Sequence, residues 1–332
     1  MAINPIRRIL VAIKDPAAKA PPTLTKSAQL ARAFNAELEL FHAIDMPMSP
    51  DVYASGDRQI GDDEQSIRAN YLQALDTMAA PLRRSGLRAS VAAEWDFPPY
   101  EAILRQAKRS RTDLIVTAVH PSARHALWPL HPTDWELLRL SPMPVLLLKS
   151  WRAYREPVVL AALDPTHARA KPADLDHLVL QLGADFSRAL GASLHAVHAY
   201  GASPAAMLSA LARGLGTAQR LKARAGSARA AATETLRLLP GLALPQSRLH
   251  VIDRLPVDAI ADTARELGAA IVVMGAVSRS GLKRLIIGNT AERVIDDLGC
   301  DILVVKPQDF GIRFPRHTRG AHLRVITPPI LY

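Results

Sequence analysis

Short runs of consecutive apolar residues alternate along this chain with longer stretches in which apolar positions recur at helical spacing. Arg8 to Lys14 reads as a strand and is stopped by Asp15-Pro16. Leu24, Ala28, Leu30, Ala31 and Phe34 then keep helical spacing as far as Asn35, and Leu38, Leu40 and Phe41 open a second strand. A polar loop leads to a longer helix from about Asp62 to Arg84, ended by Ser85-Gly86, and Leu87 to Trp95 is a third strand. Pro99 at a helix start introduces Ala102, Ile103 and Ala107, and Asp113 to Thr117 is the fourth strand. Thr133 to Leu140 is a short helix and Val145 to Leu148 the fifth strand. Five strands alternating with helices predict a doubly wound, parallel α/β sheet.

The same order then returns. Val158 to Leu163 matches the first strand and ends in Asp164-Pro165, as the first ends in Asp15-Pro16. Arg32-Ala33-Phe34-Asn35-Ala36 through Phe41-His42-Ala43 reappears as Arg188-Ala189-Leu190-Gly191-Ala192 through Val197-His198-Ala199. An offset of 157 aligns Asp96 with Asp253, Pro99 with Pro256, Thr133 with Thr290 and Lys149 with Lys306 without a gap. The pattern is a tandem duplication. It predicts one domain over residues 1–150, a second over 151–310, and a basic tail over 311–332 carrying Arg313, Arg316, Arg319 and Arg324. Ser150 to Pro157 reads as the linker. Ala205 to Leu239, rich in Ala and Arg, reads as the long helix of the second half, with breaks expected near Gly214, Gly216 or Gly226.

At 332 residues the chain can bury two ordinary cores, and 49% hydrophobic with 22% charged residues describes a globular protein. No apolar run approaches the ~20 residues that span a bilayer, so the expected compartment is the cytoplasm. Cys300 is the single cysteine, a small buried or half-buried residue beside the strand Ile302 to Val305. A net charge of +10 attracts anions, but the arginines are dispersed, aromatic residues are few and no recognition-helix pattern is present. Small anionic ligands therefore fit the charge better than specific nucleic acid.

The chemistry concentrates between Val272 and Ile295. The strand Ala270 to Met274 stops at Gly275; Gly288 precedes Asn289-Thr290, good N-cap residues, and the helix beginning Ala291-Glu292-Arg293. A strand, a loop with glycine at both ends and a helix N-terminus can offer backbone N–H groups and a positive dipole end to a phosphate. Glycines serving only tight βα packing are the alternative.

The spacing resembles the nucleotide-binding loop of the universal stress protein family: Gly275, two residues, Ser278 in place of a glycine, nine residues, Gly288, then Asn289 with the hydroxyl residue one place later at Thr290. With PTDWELLR at Pro132 to Arg139 and GNTAERVID at Gly288 to Asp296, the resemblance covers residues 8 to about 310. It implies two tandem five-stranded sheets of order 3-2-1-4-5 and a cytoplasmic role in stress tolerance, without implying an enzyme. It also implies an adenine nucleotide such as ATP in the C-terminal half. Asp164 would approach the adenosine, and Gly275, Ser278, Gly288, Asn289 and Thr290 the phosphates. Asp164 can equally be a turn residue before Pro165. Family homodimers pair through their last strands, which implies an internal pseudo-dimer joined by Val145 to Leu148 and Ile302 to Val305.

The first half should differ. Ala118, Pro121, His131 and Pro132 align with the glycine loop, and proline has no N–H to donate. Asp134 would sit at the start of the next helix and repel phosphate. Trp128 and Trp135 suggest apolar filling. His120, His125 and His131 lack metal-ligand spacing, Ser122 lacks a nucleophile-elbow context, and Walker and dinucleotide fingerprints are absent. Three function classes remain: a stress protein whose second half holds nucleotide, a scaffold or apolar-ligand carrier without nucleotide, and a nucleotide α-hydrolase. The third lacks both the SGGxDS-type and HIGH-type motifs.

Overall fold

The structure is a computed structural model that describes residues 5–18, 22–45, 57–119, 132–164, 175–200, 229–230, 233, 244–276 and 289–307. Ser278, Gly288, Pro121, Ser122, Trp128, the three loop histidines, the basic tail and most of Ala205 to Leu239 lie outside the described residues, as do the side chains of Pro132, Asn289 and Thr290. The chain forms two compact units. One contains Asn4–Leu137 and Trp151–Ala153; the other contains Leu138–Ser150 and Tyr154–Phe310.

The first unit contains β1 (Arg8–Ala12), α1 (Pro22–Phe34), β2 (Glu37–Ile44), α2 (Asp57–Arg84), β3 (Ala89–Trp95), α3 (Pro99–Arg109), β4 (Leu114–Ala118) and the start of α4 (Pro132–Leu140). Its strands run parallel in the order β3-β2-β1-β4. The apolar runs of β1 and β4 are buried along nearly their whole length, as strands covered on both faces must be. The longer strands β2 and β3 mix buried and half-buried positions. Helix α2 begins at Asp57, five residues before the expected start at Asp62.

The second unit contains β5 (Val145–Leu148), β6 (Val158–Leu163), α5 (Leu175–Leu190), β7 (Ser193–Ala199), a 3-10 turn (Gln246–Arg248), β8 (Leu249–Ile252), α6 (Pro256–Glu266), β9 (Ile271–Gly275), α7 (Asn289–Asp297) and β10 (Asp301–Val305). Strands β8-β7-β6-β9-β10 lie parallel, which is the order 3-2-1-4-5 that the resemblance implies. Strand β5 runs antiparallel on β10, with Leu147 opposite Ile302 and Val145 opposite Val304.

Helix ends repeat as well. Helix α1 stops at Asn35 with φ 52° and α5 at Gly191 with φ 63°, and the next N–H returns to Ala31 or Ser187 at 2.8 Å in each case. Helix α3 stops before Arg111, φ 55°, where the second repeat has Gly268, φ 59°.

The first strands align differently from their sequence punctuation. Leu10 lies opposite Glu39 and Ile115, while Leu160 lies opposite His195 and Val272. Both neighbouring strands therefore equate β1 with β6 at an offset of 150. Lys14 takes the place of Asp164, and the Asp-Pro pairs fall one residue apart.

Candidate functional site

At the C-terminal end of a parallel sheet, beside the strand where the order reverses, an α/β fold leaves its natural ligand crevice. In the second repeat that place is the end of β6 and β9. Asp164 follows β6 directly, half-buried, and its N–H donates to Asp176 Oδ1 at 3.1 Å. Asp176 is 4% exposed and belongs to a first turn of α5 that starts further back than α1 does. The sequence reading missed Asp176 because nothing in its spacing ties it to Asp164.

Gly275 is the last residue of β9, and its φ is not in the left-handed region. A Cβ placed there would lie 2.6 Å from Leu175 Cδ2 and 2.8 Å from its Cγ. The missing side chain thus makes room for the first residue of α5, which is the packing role left open above. Beyond β9, Ala276 N–H donates to Val305 O at 3.2 Å, and α7 begins at Asn289-Thr290. Asp164 and Gly275 close adjoining strands separated by the β6–β9 ladder alone.

The first repeat fills the corresponding corner with an ion pair. Lys14 Nζ donates to Asp134 Oδ2 at 2.6 Å, and Thr117 Oγ1 donates to Asp134 Oδ1 at 3.2 Å. The Asp134 side chain is fully buried and that of Lys14 is 26% exposed. By the repeat, Lys14 corresponds to Asp164, Thr117 to Met274 and Asp134 to Ala291. The second repeat therefore has its acid on the strand end and no carboxylate on the first turn of the helix until Glu292.

Beside this pair lies a cavity of about 180 Å³ bounded by Ile13, Phe41, His42, Asp45, Pro99 and Ile103. His42 Nδ1 donates to Ile13 O at 2.8 Å, leaving Nε2 as the acceptor, and burial lowers its pKa. His198 makes the equivalent bond to Leu163 O at 3.0 Å. Trp135 is half-buried on α4.

Just past the C-terminal end of β10, Lys306 Nζ donates to Arg139 O at 2.7 Å, and burial, then the Arg139 charge, lower its pKa to about 7. Asp301 is fully buried: Oδ1 accepts from the N–H groups of Lys149 and Ser150 at 2.9 and 3.0 Å, and Oδ2 from Tyr154 OH at 2.6 Å. Cys300 is half-buried. Among the described residues no three His, Cys, Asp or Glu side chains gather as a metal cluster, and no helix is long and apolar enough to cross a membrane.

A model of the universal stress protein family matches residues 5–149 and 171–306. The chain is 32% identical to universal stress protein E of Escherichia coli (strain K12) over 237 residues, covering 68% of this chain and 71% of that protein. A solved structure of a functionally unknown protein from Pseudomonas aeruginosa PAO1 is 27% identical, with a TM-score of 0.65 and coverage of 92% and 94% of the two chains. A universal stress protein from Archaeoglobus fulgidus, 18% identical, shares the fold at a TM-score of 0.58, with 90% and 98% covered.

Proposed function

Because the chain belongs to the universal stress protein family, as a tandem member with two such domains, we propose that it is a cytoplasmic stress-response protein whose second repeat binds an adenine nucleotide, ATP foremost. The exchange of charge between the repeats carries this reading. Where the first repeat buries Asp134 against Lys14, the second has Ala291 at the helix start and Asp164 at the strand end. A helix N-terminus without a buried carboxylate favours a phosphate, and an acid on the opposite wall suits a ribose hydroxyl or a base amine. Gly275, Ser278, Gly288, Asn289 and Thr290 would supply the phosphate contacts.

Calorimetry with ATP at one salt concentration, on wild type, Asp164→Ala, Gly288→Val and Ser278→Gly, tests this. Asp164→Ala and Gly288→Val should lose binding and Ser278→Gly should tighten it. Equal affinities in all four would place any nucleotide elsewhere.

The cavity beside Lys14 supports a second reading, a carrier of an uncharged, partly apolar ligand in the first repeat. Its walls mix apolar residues such as Phe41 and Ile103 with polar ones such as His42 and Thr117, and Asp45 and the paired Lys14 give phosphate no attraction. Mass spectrometry of ligands retained through purification separates the two: nucleotide supports the first, an uncharged apolar compound the second.

A further inference from the structure

His195 and His250 form a pair that neither repeat symmetry nor the nucleotide reading explains. Val197 lies opposite His250 in the parallel ladder of β7 and β8. Side chains two residues apart share a face of a strand, so His195, Val197 and His250 project from the same side of the sheet. Nδ1 of His195 lies 3.0 Å from Nε2 of His250, the ring centroids are 5.3 Å apart, and the planes differ by 21°. Both residues are half-buried, reachable from solvent yet held by the sheet.

The electrostatics keep both rings available as ligands. Burial lowers the pKa of each; the charges of His250 and Arg248 lower that of His195 further, while Glu266 acts on His250 in the opposite direction. Two neutral imidazoles share one proton between the facing nitrogens, and a neutral imidazole nitrogen is the ligating form. Glu266, the last residue of α6, is the carboxylate whose charge acts on His250. In the first repeat the counterpart of His195 is Glu39, which is hydrogen-bonded to Gln106.

We propose that His195 and His250 are a bidentate site for a divalent late transition-metal ion, with water completing the shell and Glu266 acting on it through its charge alone. On binding, the ring that held the shared proton gives it up at the facing nitrogen and takes one up from solvent at its distal nitrogen, so both imidazoles ligate as neutral rings with no net proton released. With metal–nitrogen bonds of about 2.0–2.1 Å, nitrogens 3.0 Å apart subtend an angle of about 90° at the metal. That angle matches adjacent corners of a square or octahedron better than a tetrahedron, so Cu²⁺ is preferred, then Ni²⁺, with Zn²⁺ weaker than Cu²⁺. Imidazole donors also exclude Mg²⁺ and Ca²⁺, which take oxygen ligands. The site is independent of nucleotide binding.

The test titrates the full-length protein with Cu²⁺ and Ni²⁺ by calorimetry, alongside H195Q, H250Q and E266Q, with circular dichroism melts on each. Wild type should show one tighter step that H195Q and H250Q each weaken by at least the roughly tenfold typical of losing even an outer-shell partner, and E266Q by less. Electron paramagnetic resonance of the first Cu²⁺ equivalent should show two coupled nitrogens in wild type and one in H195Q. Should H250Q fail to fold, histidine side-chain NMR of wild type during Ni²⁺ addition reads the same site: these two rings should broaden before the other histidines. Identical isotherms for wild type and H195Q, or broadening at other histidines first, would overturn the proposal.

Discussion

Lys306 Nζ holds the carbonyl oxygen of Arg139 at 2.7 Å, and Lys149 Nζ holds that of Asp296 at 3.2 Å. An offset of 157 carries each lysine onto the other and Arg139 onto Asp296, so these are one bond made twice. Each amine tends the C-terminal carbonyls of a helix, where a cation is favoured. Lys149 adds Ile295 O at 2.7 Å.

The Lys306 bond has a pH signature. Its pKa in the folded protein is about 7, against about 10.4 unfolded. Between those values the unfolded chain binds more protons, so stability rises as pH increases from about 7 to about 10.4. Below pH 7 both states are protonated and this contribution is flat at its least favourable level. Lys306→Met should flatten the alkaline rise, read from urea midpoints at pH 7 and 9.

The Lys14–Asp134 pair should break unevenly. Lys14→Ala leaves a buried carboxylate with Thr117 alone among the partners named above and should cost about 3–5 kcal/mol. Asp134→Ala leaves an amine that is already 26% exposed and can turn to water, so it should cost clearly less. Chemical denaturation of the two variants checks the order; equal costs would mean that the pair is not the main support of Asp134.

Arg111 carries φ 55° where the second repeat uses Gly268. Left-handed backbone costs a side-chain-bearing residue roughly 1–2 kcal/mol, partly offset in glycine by unfolded-state entropy. Arg111→Gly should therefore raise stability by up to about 1 kcal/mol, and Gly268→Arg should lower it. Thermal melts of both variants decide.

Asp301 should be more sensitive than its surroundings suggest. Asp301→Ala removes the acceptor of two backbone N–H groups and of Tyr154 OH, and unpaired buried donors cost about 1–3 kcal/mol each before relaxation. Tyr154→Phe should cost less, because the carboxylate keeps two of those donors. Hydrogen exchange at Lys149 and Ser150 amides should accelerate in Asp301→Ala and not in Tyr154→Phe.

Gly275→Ala should destabilise by about 1–3 kcal/mol, since Leu175 Cδ2 lies 2.6 Å from the new Cβ. Combining it with Leu175→Ala should recover part of that loss relative to additivity. A double-mutant cycle in denaturant would show no coupling if Gly275 serves a ligand alone.

Element type was legible because each element carries its own period. The runs at Val145–Leu148 and Val158–Leu163 coincide with β5 and β6, and Pro99 opens α3 as its fixed φ favours. Long-range pairing was not legible. Lys14 and Asp134 are 120 positions apart, and no local rule joins them. The one-residue slip that sets Lys14 against Asp164 was hidden by the Asp-Pro punctuation, which marks where a strand stops and not which ladder rung it occupies. Gly275 carried two meanings in the sequence, and only the placement of Leu175 brings out the packing one.

The seam between the sequence repeats and the seam between the compact units do not coincide. Leu138–Ser150 belongs to the first repeat by sequence and to the second unit by packing, through the ladder of β5 on β10. Dissection at the linker would therefore cut a tract from the body that houses it. A fragment beginning at residue 151 would lose the β5 partner of β10 and bare a row of backbone donors and acceptors, an invitation to self-association. Binding experiments on separated halves would then report on a wounded protein, whereas a cut after Leu137 keeps the β5–β10 ladder in one piece.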